Sequence, residues 1–159
     1  MHRDIKSLAY RSLVRPSLEY CAAVWDPHTN DLIYQLEAVQ RRSARFVKNN
    51  YDRQSSVTTM LKDLNWSTLA ERRKIARLAV FHKAHEGHLS IPVRNLLRPV
   101  TRPTRRSHNK SYIELQPNKD TFKYSFLPRT VIDWNALPSS IVNIEDPKTF
   151  KAQLKQHFE

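Results

Sequence analysis

Leu36-Glu37-Ala38-Val39-Gln40-Arg41-Arg42-Ser43-Ala44-Arg45-Phe46-Val47 is the stretch that decides the fold class. With Leu32 upstream, the residues Leu36, Val39, Ser43, Phe46 and Val47 recur at three- and four-residue steps, which sets them along one side of a helix. Arg41, Arg42, Arg45 and Lys48 fall mostly on the remaining surface. One face can therefore enter a core while the other presents positive charge. Such a helix serves as a solvated face, as a membrane-surface helix or as a rail for phosphates. The rest of the chain favours the rail.

The chain has 159 residues, and its 27 basic side chains outnumber 15 acidic ones to give a net charge of +12. That length suits one domain able to bury roughly 68–70% of its unfolded surface. A hydrophobic content of 40% lies well above a disordered composition. The charge speaks about partners rather than fold, and the partners it fits are RNA, DNA or an anionic membrane. Gly87 is the one glycine and Cys21 the one cysteine. The first excludes P-loops and dinucleotide-binding glycine fingerprints, and the second excludes an intrachain disulfide and zinc ribbons. A free thiol fits a reducing compartment, so a nuclear or cytoplasmic, intracellular location is expected. No apolar run approaches the roughly 18 residues of a membrane span, and Met1-His2-Arg3-Asp4 does not begin a signal peptide.

From the start, Ile5, Leu8, Ala9, Ser12 and Leu13 make a helical stripe that Arg15-Pro16 should interrupt, since proline disfavours the α conformation before it. A second helix can restart at Pro16, with Leu18, Cys21, Ala22 and Trp25 facing one way. Thr29 or Asn30 caps the basic helix, with Asp31 in its first turn, and Asn49-Asn50 stops it. Ser55-Ser56 precede a short helix carrying Val57, Met60, Leu61 and Leu64. Thr68-Leu69-Ala70-Glu71 has capping-box spacing, so a longer helix begins there and ends at Gly87. Pro92 opens a short helix to Leu97. Residues 98–110 hold no acid and two prolines, and read as a flexible basic loop. Alternation around Tyr112, Ile113 and Leu115, and again around Phe122, Tyr124 and Phe126, leaves room for one short β-hairpin. Val131, Ile132 and Trp134 predict a short apolar helix. Asp146-Pro147 caps a last one, with Phe150, Leu154 and Phe158 on one face. The expected architecture is mainly α: a helical region over 1–97, the basic loop over 98–110, and a C-terminal region over 111–159 that packs on the helices.

Several motifs occur together in order. They are Leu13-Val14-Arg15-Pro16-x-Leu18-Glu19-Tyr20-x-x-x-Val24-Trp25-Asp26-Pro27, then Leu36-Glu37-x-Val39-Gln40-Arg41-Arg42-x-Ala44-Arg45-Phe46, then Leu69-x-Glu71-Arg72-Arg73. Phe126-x-Pro128-Arg129-Thr130-x-x-x-Trp134-Asn135-x-Leu137-Pro138 and Phe150-Lys151-x-x-Leu154 follow. This succession, over nearly the whole chain, resembles the C-terminal part of the endonuclease–reverse transcriptase polyproteins of non-LTR retrotransposons of the Jockey type. The resemblance implies that the first helices correspond to a polymerase thumb following an upstream palm. It also implies a parent that carries out RNA-directed DNA synthesis primed at a nicked chromosomal target. The Tyr-x-Asp-Asp polymerase signature is absent, and no two aspartates are adjacent, so the chain offers no seat for two catalytic metal ions. The expectation is a fragment, or a decayed copy expressed alone, that binds RNA or an RNA–DNA duplex and does not itself catalyse. The alternatives are a protein–protein interaction module and a non-functional relic.

Phosphate contacts position a protein without reading sequence. The residues expected to make them are Arg41, Arg42, Arg45 and Lys48 on the basic helix, Arg72 and Arg73 in the third motif, and Arg102, Arg105, Arg106 and Lys110 in the loop. Tyr51, Trp66, Tyr112, Tyr124 and Trp134 could stack on unpaired bases, but core packing is the commoner fate of tryptophan. His82, His85 and His88 lack the cysteine or well-spaced carboxylate that would complete a metal set, and a helix C-terminus favours histidine in its own right. Cys21 is expected on an apolar face, where a thiol is inert. No metal and no cofactor is implied.

Overall fold

Proline at position 16 widens the first helix without ending it. In the computed structural model, which describes residues 2–101 and 108–158, α1 (Arg3–Ala9) passes through a π-type turn over Tyr10–Val14 into α2 (Arg15–Glu19). A proline ring presses on the carbonyl four residues back and offers that carbonyl no N–H, and a wider turn accommodates both demands. The chain breaks at Tyr20, and Cys21 takes a left-handed conformation at φ +50° before α3 (Ala22–Trp25). Cys21 is exposed, not set on an apolar face as its spacing implied.

The helix ends follow the local chemistry closely. α4 (Asn30–Lys48) begins after Thr29 and stops at Asn49, which adopts φ +53°. In α5 (Val57–Asp63) the Ser56 hydroxyl accepts from the Thr59 amide at 3.4 Å. α6 (Leu69–His85) opens on a reciprocal box: the Thr68 amide donates to Glu71 Oε2 at 2.9 Å, and the Glu71 amide to Thr68 Oγ1 at 3.1 Å. It closes with His88 N–H on the Lys83 carbonyl and Gly87 N–H on that of Ala84, Gly87 supplying the positive φ of +80° this closure needs. α7 (Val93–Leu96) follows Pro92, then come α8 (Asp120–Lys123), α9 (Phe126–Asn135) and α10 (Ser139–Val142). α11 (Pro147–Phe158) starts with Asp146 accepting from the Thr149 amide at 2.8 Å and its hydroxyl at 2.6 Å.

The protein is mainly helical. Among the described residues the one β-type pairing is an antiparallel bridge of Pro99 with Tyr112. The hairpin expected over 112–126 does not form. Lys119 accepts from the Phe122 and Lys123 amides instead, so the second alternating run coils into α8. That alternation spans too few residues to hold a ladder against a local turn.

Packing divides the chain within α6, into Met1–Arg73 and Lys74–Glu159. The reason lies in which side chains share a core. Tyr10, Ala44, Val47, Met60 and Trp66 form that of the first unit, with Tyr10 stacked on Trp66 at 4.3 Å between ring centroids. Ile75, Leu78 and Phe81 of α6 join Val93, Leu97, Tyr112, Val131, Trp134, Phe150 and Leu154 in the second. Residues on both sides of the basic segment thus belong to one core. The described ends of that segment are fastened: the Val100 amide donates to the Ser111 carbonyl at 3.0 Å, and the Ile113 amide to that of Arg98 at 2.8 Å.

Candidate nucleic-acid interface

α4 buries a different face from the one its leucines mark. Glu37, Gln40, Ala44 and Val47 are the buried residues, while Leu32 and Phe46 are exposed. Both polar residues have fixed partners in the first unit. Glu37 accepts from the Ala70 amide at 2.8 Å, meeting one of the unpaired N–H groups at the start of α6. Gln40 accepts from the Tyr10 hydroxyl at 2.8 Å and donates to the Ser67 carbonyl at 2.9 Å. Burial raises the Tyr10 phenol well above its ordinary range, so it stays a hydrogen-bond donor. Of the expected seam Val47 is buried and Leu36, Val39 and Ser43 are half-buried, while a satisfied polar network takes the rest of the buried face.

The ten cations singled out from sequence fall into three groups. Arg41 and Arg42 are exposed on α4, and among the described residues no carboxylate forms an ion pair with either. The Arg41 guanidinium lies 5.1 Å from the Tyr34 ring centre, a cation–π contact that leaves its charge at the surface. Arg45, Lys48, Arg72, Arg73 and Lys110 are engaged. Arg45 donates to the Asp52 carbonyl at 2.6 Å and to that of Ser55 at 3.4 Å. Lys48 pairs with Asp63 at 2.7 Å and holds that carboxyl below the usual range. Arg72 forks onto Glu19, which also meets Arg15 at 3.8 Å. Arg73 is 1% exposed and its Nε donates to Asp26 at 2.8 Å. Lys110 donates to Glu86 at 2.7 Å. Arg102, Arg105 and Arg106 lie outside the described residues.

Arg72 and Arg73 therefore act as staples. Two consecutive arginines of α6 reach carboxylates 53 and 47 positions earlier, one at the end of α2 and one at the end of α3. In the second unit Arg77 donates to Asp133, which Lys74 also meets at 2.9 Å. None of these carboxylates could be paired with its arginine from sequence, because the spacing follows no local period. The one legible hint was the motif order, in which Glu19 and Asp26 precede Arg72 and Arg73.

The aromatic residues divide between surface and core. Trp66, Tyr112 and Trp134 are buried, Tyr51 is exposed and Tyr124 half-buried. Trp134 is fully enclosed, tilted 5.0 Å from Phe81, with its Nε1 donating to the Lys110 carbonyl at 2.9 Å. His82 stacks on Phe150 at 3.9 Å, and its Nε2 sits 2.6 Å from the Ile144 carbonyl. His85 is buried beside Tyr112, whereas His88 is exposed beyond Gly87. Among the described residues no three His, Cys, Asp or Glu side chains converge as a metal set, and no helix is long and apolar enough to cross a membrane.

Comparison with family models, curated proteins and solved structures finds no match. The chemistry of the surface carries the functional reading alone.

Proposed function

We propose that the chain is a non-catalytic nucleic-acid-binding module that grips RNA or an RNA–DNA duplex by its phosphates. The single observation that carries this reading is the excess of positive charge, +12, with Arg41 and Arg42 exposed on α4 and without an ion pair among the described residues. The order of motifs supports placing the module as the thumb and downstream region of a reverse transcriptase resembling the non-LTR type, with an upstream palm as its partner in the parent. Five cations carry the contact: Arg41 and Arg42, with Arg102, Arg105 and Arg106 of the basic segment. Counterion release then sets log K against log salt at a slope of about −3.5 to −4.5. Replacing Arg41 and Arg42 together by glutamine is expected to flatten that slope by about 1.4–1.8. Fluorescence anisotropy of a labelled RNA across a salt series measures both, and an affinity that does not change with salt would remove the proposal.

A second reading rests on its own observation. Leu8, Leu13, Val24 and Trp25 of the first helices are all exposed, Leu13 at 73% and Val24 at 83%. Apolar residues left open in this number mark a protein contact. Size-exclusion chromatography over a concentration series separates the readings. Self-association that persists at high salt, without RNA binding, favours the protein contact; a monomer with salt-dependent RNA binding favours the phosphate grip.

A further inference from the structure

Between the end of α6 and the Pro99–Tyr112 bridge, the second unit encloses a hollow of about 200 Å³. Its wall includes His85, Arg94, Lys110, Ser111 and Tyr112. The wall is held in place from several sides. The Tyr112 amide donates to Asn135 Oδ1 at 3.0 Å, and Asn135 Nδ2 returns a bond to the Tyr112 carbonyl at 2.7 Å. Lys110 is fixed at both ends, its carbonyl by Trp134 Nε1 and its ammonium by Glu86. The imidazole of His85 is 2.7 Å from the Tyr112 hydroxyl through Nδ1 and 3.7 Å from Glu86 through Nε2.

Three features of this wall ask for an anion. Arg94 is exposed, and among the described residues no carboxylate pairs with it. Lys110 adds a second cation, which Glu86 pairs at 2.7 Å; Glu86 does not line the hollow but does line the wider depression beside it. Ser111 is 2% exposed, and its hydroxyl is buried without a hydrogen-bond partner, a state that few native side chains keep. A phosphate monoester supplies about two negative charges and three acceptor oxygens, enough for the guanidinium, the ammonium and the hydroxyl together. The hollow is smaller than the roughly 300 Å³ at which drug-sized sites begin. A wider depression beside it shares His85 and Arg94 and continues past Ser90 and Ile91, giving room for a sugar. An internal phosphodiester carries a sugar on both sides, whereas a terminal phosphate carries one at most, so a hollow of this size favours the terminal group.

We propose that this hollow binds a phosphate monoester, with Arg94 and Lys110 holding its charge and Ser111 donating to an oxygen. The source is the phosphorylated end of a nucleic-acid strand or a free phosphate. The inference goes beyond the phosphate grip of α4 and uses different residues, so either can fail alone.

His85 gives the readout. Burial holds its imidazole down to about 4, and Lys110 and Arg94 add to the effect. A dianion in the hollow acts in the opposite sense, since an opposite charge in contact raises a histidine by about 1–3 units. Ring ¹H–¹⁵N NMR of the full chain, titrated with inorganic phosphate, is expected to show that rise at His85 and none at exposed His88. Arg94→Gln, a surface change that leaves the core intact, is expected to weaken the phosphate response by about tenfold, the loss of a charge-assisted bond. Arg41→Gln with Arg42→Gln should leave it unchanged. Two RNA oligonucleotides differing in a 5′-phosphate then identify the source. A tenfold preference for the phosphorylated strand assigns the hollow to strand ends, and equal affinities with the His85 response retained assign it to free phosphate. An unmoved His85, or an Arg94→Gln protein that responds like the original, overturns the site.

Discussion

Replacing Arg73 by alanine is expected to cost about 3–5 kcal/mol of stability, the range for removing one partner of a buried ion pair. The guanidinium is essentially inaccessible, and Asp26 is 9% exposed at its side chain. Truncation leaves that carboxylate in a low-dielectric site without its nearest cation, and it also opens a void where a large side chain was. Two of the guanidinium nitrogens, Nη1 and Nη2, are buried without partners in the native protein. The pair is therefore imperfectly satisfied, and an uncharged replacement of both ends should recover part of the loss: Asp26→Asn with Arg73→Met is expected to be more stable than Arg73→Ala. Arg42→Ala makes the same change of charge on an exposed position and is expected to stay within about 0.5 kcal/mol. Urea denaturation followed by circular dichroism measures the three differences, and amide exchange locates the first, since α3 and the first turns of α6, which the pair joins, should lose protection. Equal stability of Arg73→Ala and Arg42→Ala would mean that Arg73 is no staple. The contrast also separates the two kinds of arginine in this chain. Arg42 should alter RNA affinity at constant stability, and Arg73 the reverse.

Helix ends were open to reading because their causes are local. Thr68 and Glu71 lie three residues apart, and each satisfies the other's amide. Gly87 and Asp146-Pro147 act within one turn of themselves. Core membership was legible where apolar residues had no competing use, as at Phe150 and Leu154 of α11. It failed on α4, where Leu32 and Phe46 were expected inside and Glu37 and Gln40 lie there instead. Periodicity weighs only apolarity, and it cannot register an N–H at the start of another helix that a glutamate is placed to accept. The same blindness applies to Arg72, Arg73 and Lys110. In sequence they are a basic motif, whereas in space each has a carboxylate brought from 24 to 53 positions away. At the described end of the basic segment His108 is buried, its Nε2 2.9 Å from the Trp134 carbonyl, a contact across 26 positions that composition does not register.

Acid should unfold the second unit before it strips most carboxylates of charge. Three imidazoles surround Trp134, with ring centroids 6.3 Å away for His82, 5.4 Å for His85 and 5.9 Å for His108. Burial lowers all three below the usual histidine range, His85 to about 4, against carbonyl hydrogen bonds that pull His82 and His108 upward. The charged neighbours are Glu86, which favours protonation of His82 and His85, and the cations Lys110 and Arg94, which oppose it at His85. A depressed imidazole is neutral in the folded chain while the unfolded chain takes up its proton from about pH 6.5 downward. The stabilisation is therefore whole above pH 6.5 and declines as pH falls toward 4. His85 alone accounts for about 3 kcal/mol over that window. His82 and His108 add in the same direction. Glu86, kept below its ordinary range by Lys110 in spite of its own desolvation, adds a further loss at the acid end. Urea midpoints taken at half-unit steps between about pH 7.5 and 4 are expected to hold level to about pH 6.5 and to fall from there downward. Substituting His85 by glutamine should flatten the lower part of the curve, even if it lowers stability at neutral pH, and substituting exposed His88 should leave the profile as it was. A midpoint constant down to pH 5 would show that these rings do not carry their protons as their burial requires.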